Sequence, residues 1–226
     1  MEIIPNIHLI PGIAANPYLL IDPDGLTLID AGLPRNQGKI LKYLASLGYA
    51  PSGLKRILIT HADSDHFGSL AALQRATLAR VFASAIEAEA IAAGRMSRPL
   101  KLSGVRKLLF SAVMAFYQPR PARVDEILVG EQVLPVLGGL RVIETKGHSP
   151  GHLSFFVPSL AVLFSGDSLL CSPGLIEPSR GVNTWDEALA VASTKIQAGL
   201  GASIVCPGHG PVLKDAATLF NALGAL

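Results

Sequence analysis

The sequence predicts an α+β fold of two similar halves, packed sheet against sheet with helices outside. Three features of the chain point there. Short apolar runs of strand length alternate with longer stretches whose apolar residues recur at helical spacing. Glycine (22) and proline (16) are frequent enough among 226 residues to separate many short strands. One order of elements also occurs twice: a hairpin ending in aspartate, a helix, then a short strand ending in histidine. The first copy runs from Tyr18 through Asp30 to His61, the second from Leu153 through Asp167 to His209. Halves of this kind bury one sheet face against the other and bring their strand ends to one edge.

Taken in order, Ile7 to Ile10 is expected as a first strand, closed by Pro11-Gly12. Tyr18 to Ile21 and Leu26 to Ile29 form a hairpin whose turn is assigned to Asp24-Gly25. Lys39 to Leu47 carries Ile40, Leu41, Leu44 and Leu47 at helical spacing and stops at Gly48. Ile57 to Ile59 is the next strand. Gly68 to Arg80 is helical, Val81 to Ala83 extended, and Ala85 to Ala93 an alanine-rich helix ending at Gly94. Strands follow at Glu126 to Val129, Gln132 to Val136 and Leu140 to Glu144. Leu153 to Val157 with Leu160 to Phe164 is a second hairpin. Trp185 to Leu200 reads as a helix, Ser203 to Val205 as a strand, and Asp215 to about Ala222 as a last helix.

Composition narrows the function classes. The length fits one domain, residues 1–226, better than two small ones. Half of the residues are hydrophobic and 16% charged, which is ample for a sizeable core. A formal net charge of +2 gives no reason to expect a nucleic-acid partner. Cys171 and Cys206 stand at neither metal-finger nor redox spacing and are expected as buried thiols, consistent with a cytoplasmic protein. Met1 to Asn6 does not have the form of a signal peptide, and no membrane span is expected.

The chemistry concentrates after Ile57-Leu58-Ile59, in Thr60-His61-Ala62-Asp63-Ser64-Asp65-His66. No helix or strand presents His61, Asp63, Asp65 and His66 on one face, but a loop curling around an ion does. Imidazole with carboxylate suits zinc, iron or manganese rather than calcium. A connection that merely caps a helix near Phe67 explains any one of these residues better than all four.

Further on come Gly147-His148-Ser149-Pro150-Gly151-His152, Gly166-Asp167 and Gly208-His209-Gly210. With the His61 to His66 loop and Asp30-Ala31-Gly32, this ordered set resembles the metallo-β-lactamase superfamily, in its glyoxalase II-like branch. The resemblance implies a four-layer αββα sandwich with a metal site at the edge shared by the sheets. It implies two divalent metal ions, zinc first, with iron or manganese as alternatives. His61, Asp63 and His148 would hold the first ion; Asp65, His66 and His209 the second; Asp167 would bridge them. Asp30 and His152 match positions that orient the ligands and brace the loops. His8 lies outside any motif and is expected to be structural or solvent-facing.

One departure bears on the metal. The loop's usual second histidine is Asp63 here, a harder oxygen donor that moves preference toward iron or manganese. Flavin-linked di-iron relatives carry Glu there together with a flavodoxin-like domain, for which this chain is too short. The implied activity is a metal-dependent hydrolase using a metal-bound hydroxide on an ester, thioester, lactone or amide carbonyl of a small molecule. Asp65 is the expected catalytic residue, orienting the hydroxide and passing a proton to the leaving group. The alternatives are a mononuclear-iron oxygenase acting on a sulfur substrate, a nuclease, or a binding module without chemistry.

The segment 95–123 breaks the rhythm as an insertion. It is basic and acid-free, with Arg95, Arg98, Lys101, Arg106, Lys107, Arg120 and Arg123. A helix is expected near Val105 to Tyr117, its apolar stripe formed by Val105, Leu108, Leu109, Ala112, Val113 and Phe116. That stripe would pack on the domain's own core, cover the site as a lid, or pair two subunits in a homodimer.

Overall fold

The first sheet follows the order of the chain in a computed structural model that describes residues 1–99, 101, 104, 108 and 116–223. Its seven strands are β1 (Glu2–Ile4), β2 (Ile7–Leu9), β3 (Tyr18–Asp22), β4 (Gly25–Ile29), β5 (Leu54–Leu58), β6 (Arg80–Ala83) and β7 (Glu126–Ile127). The first three pairings are antiparallel and the last three parallel. The second sheet joins β8 (Val133–Leu134), β9 (Leu140–Glu144), β10 (Leu153–Val157), β11 (Val162–Gly166) and β14 (Ile204–Pro207) in the order β14-β11-β10-β9-β8. Only β11 and β14 run parallel there. β12 (Leu169–Ser172) and β13 (Leu175–Pro178) pair as a separate hairpin. The helices are α1 (Gln37–Ser46), α2 (Ser64–Phe67), α3 (Leu70–Thr77), α4 (Ala85–Ala92), α5 (Glu187–Ala198) and α6 (Ala216–Leu223).

Strand alternation explains the layers. Leu20, Ile29 and Leu58 point into one cluster with Phe155, Phe164 and Cys206 of the other sheet, which is the seam between the sheets. Their neighbours Leu19, Leu28 and Ile57 face the opposite way, against Ile40 and Leu44 of α1, Leu70 and Leu73 of α3, and Ile91 of α4. In the second sheet Phe156, Leu163 and Val205 turn outward toward Ala216 and Phe220 of α6. Side chains of successive strand residues must point to opposite faces, so each sheet needs two covers. Each fully buried Leu, Ile or Phe contributes roughly 1.5–3 kcal/mol. The result is the four-layer αββα sandwich that the motif order implied.

The repeated order of elements survives as topology. The β3–β4 hairpin crosses through α1 to β5, parallel to β4, and the β10–β11 hairpin crosses through α5 to β14, parallel to β11. Parallel neighbours need such a crossover, and it leaves both carboxyl ends at the same edge.

Several expectations need correcting. The first hairpin pairs Asp22 with Gly25, so its tip is Pro23-Asp24. The Gln132 to Val136 run pairs only at Val133–Leu134. β1 was not expected; Pro5 and Asn6, the latter at φ 68°, turn it back onto β2. The β12–β13 hairpin was also missed, although Pro173-Gly174 marks its turn. His8 is buried and its Nδ1 lies 3.2 Å from the Tyr43 hydroxyl, the structural half of the expectation. The apolar helix expected near Val105 to Tyr117 falls mostly outside the described residues; Leu108, Phe116 and Tyr117 are exposed. Among the described residues no helix is long and apolar enough to cross a membrane.

Candidate metal centre

Asp30 follows β4 in a left-handed conformation, φ 62°, which aspartate tolerates better than most residues. Its Oδ1 accepts the Thr60 amide at 2.9 Å, and its Oδ2 accepts the Thr60 hydroxyl at 2.8 Å. His66 Nδ1 lies 2.8 Å from the same Oδ2. Thr60 follows β5 and has one hydroxyl proton, given to Asp30. Its oxygen is therefore an acceptor for His61 Nδ1, 3.0 Å away. The network thus assigns both Nδ1 atoms as donors to groups behind the rings. Each Nε2 is left facing the space between the sheets' ends. That of His61 is buried with no hydrogen-bond partner among the described residues.

The second half answers from across that space. His148 places Nδ1 3.1 Å from the Ser179 hydroxyl, which is 2.8 Å from that of Thr184. His152 Nε2 accepts the Asp167 amide at 3.1 Å, so its Nδ1–H is directed to the Thr145 hydroxyl at 2.9 Å. Asp167 follows β11 and His209 follows β14. His209 Nε2 lies 3.2 Å from Asp65 Oδ2 and 3.5 Å from Asp167 Oδ2. At Gly208 a side chain is excluded, because a Cβ would overlap Asp167 Oδ1.

Three groups result, each with donor atoms within 4.8 Å of one another: His61, Asp63 and His148; Asp65, His66 and His209; His61, His66 and Asp167. Every expected ligand position is brought to this cluster. Asp30 and His152 stay outside the groups, each bonded to a member of one. Asp63 does occupy the N-cap position of α2, but its side chain makes no capping bond.

Electrostatics follow from burial opposed by neighbours. Burial pushes the Asp63 carboxyl up, but His61 and His148 outweigh it and hold the group well below the usual carboxylate range. Burial likewise opposes, and His66, His148 and His61 overcome, at Asp167. His66 is the converse: burial pushes it down, while Asp167 and Asp30 hold it well above the usual imidazole value. The bond to Asp65 raises His209 against burial. Burial first, then His61 and His148, depress His152 strongly. The cluster opens into a cleft of about 580 Å³, lined also by Arg98, Met96, Tyr117, Arg180 and Asn183. That volume is in the range of small-molecule sites.

Two residues of this centre were not singled out from sequence. Glu87 is fully buried on α4. It accepts the Ala62 amide at 2.8 Å, the Ser149 hydroxyl at 2.6 Å and the Gly151 amide at 3.0 Å, tying the two histidine-bearing loops together. Ser84-Ala85-Ile86-Glu87 has the form of a capping box, and Ser84 does accept the Glu87 amide. The glutamate side chain leaves the cap to hold the loops instead. Arg98 is the other. Its Nη2 lies 2.5 Å from Asp63 Oδ2 and 3.1 Å from His148 Nε2, with its side chain 1% exposed. The acid-free stretch around it was the only signal.

A sandwich whose two halves deliver histidines and aspartates to one edge defines the metallo-hydrolase class. The chain belongs to the metallo-β-lactamase superfamily, whose model matches residues 10–209. It is 28% identical to the Bacillus subtilis protein YobT, over 88% of this chain and 84% of that one. It is 30% identical to a hydroxyacylglutathione hydrolase of Cereibacter sphaeroides over 76% of this chain, and spans only 53% of that enzyme. The crystal structure of a metallo-β-lactamase family protein from Thermus thermophilus superposes with a TM-score of 0.75, at 26% identity, covering 99% of this chain and 80% of that one.

Proposed function

We propose that this protein is a metal-dependent hydrolase of small carbonyl compounds: esters, thioesters, lactones or amides. The observation that carries the reading is the convergence of His61, Asp63, Asp65 and His66 with His148, Asp167 and His209. Its central atoms His61 Nε2, Asp63 Oδ1 and Asp167 Oδ1 are buried without hydrogen-bond partners among the described residues. Buried polar atoms left unpaired are rare and call for a ligand. The fit is good at Asp65, His66 and His209, with Asp167 and His61 alongside. It is partial at His61, Asp63 and His148, where Arg98 approaches two of the three donors. The mixed nitrogen and carboxylate set suits zinc, with iron or manganese as alternatives.

A divalent metal held there supplies Lewis acidity, polarising a carbonyl and lowering the pKa of a bound water toward about 7. The chain's own residues do the rest. Asp30 and Thr60 fix the rings of His66 and His61 with Nε2 inward. His152 fixes Asp167 through its backbone amide. Asp65 is 30% exposed at the cleft wall and is the group placed to orient a water and carry its proton to the leaving group. Substrate class rests partly on the likeness to a hydroxyacylglutathione hydrolase.

The test is a panel of ester, thioester and lactone substrates with the metal-loaded chain. Turnover of at least one is expected, abolished in the folded His61→Ala/His209→Ala double variant. Activity surviving in that variant after metal removal would refute the mechanism. Two histidines with one carboxylate also recur in mononuclear iron oxygenases, and each of the three groups has that composition. Oxygen uptake with a thiol or persulfide substrate, without ester turnover, would favour that second reading.

A further inference from the structure

We propose that Arg98 takes the place of the first metal, so that the chain holds a single divalent ion, at Asp65, His66 and His209. This rests on the metal-dependent reading above and concerns only how many ions the centre takes.

The geometry is specific. An ion at the first position needs lone pairs from His61 Nε2, one Asp63 carboxylate oxygen and His148 Nε2; Asp63 Oδ2 is 3.6 Å from His61 Nε2 and 3.2 Å from His148 Nε2. Arg98 Nη2 donates to Asp63 Oδ2 and His148 Nε2, at 2.5 and 3.1 Å, so of this group's donor atoms only His61 Nε2 and Asp63 Oδ1 are without a partner among the described residues. Guanidinium does not lose its proton in proteins, so it cannot yield those lone pairs by deprotonating as a histidine does. A divalent ion within the same few ångströms would meet a fixed like charge at short range.

Charge points the same way. Asp63 adds one negative charge that a histidine there would not carry, and the Arg98 guanidinium offsets it. The substitution in the loop and the arginine from the 95–123 segment therefore compensate each other. Among the described residues Arg98 makes its side-chain hydrogen bonds to Asp63 and His148, and its Nε and Nη1 are buried without one. The second group has no such cation among the described residues around it. Its neighbours include Asp167, with Oδ1 3.3 Å from His66 Nε2, and His61, whose ring centroid lies 4.1 Å from that of His66. Asp167 reaches toward both groups, its Oδ2 3.5 Å from His209 Nε2 and 3.7 Å from His148 Nε2.

The test is metal stoichiometry of the full chain by native mass spectrometry and elemental analysis. The chain is stripped, reloaded with excess zinc or manganese, and desalted. One ion per chain is expected for the wild type, rising to two in Arg98→Met, with Arg98→Gln as a second neutral variant should the first not fold. Arg98→Lys keeps the charge and should stay at one. Two ions in the wild type would overturn the inference and leave the hydrolase reading intact. One ion in the wild type and still one in both neutral variants would also overturn it, because Arg98 would not be what excludes the second. No bound ion in any form would overturn the metal-dependent reading itself.

Discussion

Asp30 Oδ2 lies 2.8 Å from His66 Nδ1, across 36 residues of chain, and accepts the Thr60 hydroxyl at the same distance. One carboxylate thereby sets the orientation of two imidazoles, His66 directly and His61 through Thr60. Replacing it by alanine frees both rings. Asp30→Ala should bind metal about 10–100-fold more weakly, the range seen when such outer partners are removed. Titration with a competing chelator measures this, and an unchanged affinity would show that the rings are held by packing alone.

Glu87 gives a prediction about stability. In Glu87→Ala the Ala62 and Gly151 amides and the Ser149 hydroxyl lose their acceptor inside the core. Buried donors left unpaired cost about 1–3 kcal/mol each. After local relaxation a loss of roughly 3 kcal/mol is expected, a fall in Tm of about 6–12 °C for a chain of this length. Glu87→Gln keeps one acceptor oxygen and should fall between. Scanning calorimetry checks the order; a Tm for the alanine variant within about a degree of wild type would contradict it.

The extent to which this centre could be read from sequence follows from chain separation. The His61 to His66 loop packs four donors into six positions, and Gly147 to His152 is nearly as dense, so both announce themselves. Leu19 and Leu20, or Phe155 and Phe156, alternate between two covers in the structure, but the sandwich was legible from the repeated order of hairpin, helix and short strand and from the order of the motifs. Glu87 and Arg98 were not, because each acts on partners tens of residues away and sits in a context with a local explanation: an alanine-rich helix for one, a basic segment for the other. The β12–β13 hairpin escaped for a different reason. Leu170 and Leu175 are exposed there, so no apolar alternation marks it.

The pH dependence of metal binding follows from His66. Asp167 and Asp30 overcome burial and raise its affinity for a proton, and that proton must leave before the nitrogen can bind an ion. Metal affinity should therefore rise with pH and go on rising above about 6.5, the ordinary imidazole value. It should fall steadily below that. Calorimetric titrations between about pH 6 and 8.5, in buffers of different ionisation enthalpy, should also show protons released. An affinity flat across that window would contradict the assignment of His66 as a ligand.

The two cysteines should be chemically silent. Burial pushes the Cys171 thiol up to about 12, and burial together with Cys171 pushes Cys206 up as well. The thiolate is the reacting species, so at about pH 8 alkylation of the native chain should be very slow. Mass spectrometry after iodoacetamide should find neither residue modified in the time that labels both in denaturant. Rapid labelling of the native chain at Cys206 would place it outside the core.

The central claim, that residues from both halves hold a common ion, is tested most directly by the metal content of the purified chain and of His209→Ala. His209 is 44% exposed, so its removal leaves the core untouched, yet it lies 143 residues from His66. Elemental analysis should find metal bound to the wild type and largely lost from the folded variant. Equal metal in both proteins, or none in either after reloading, would contradict it.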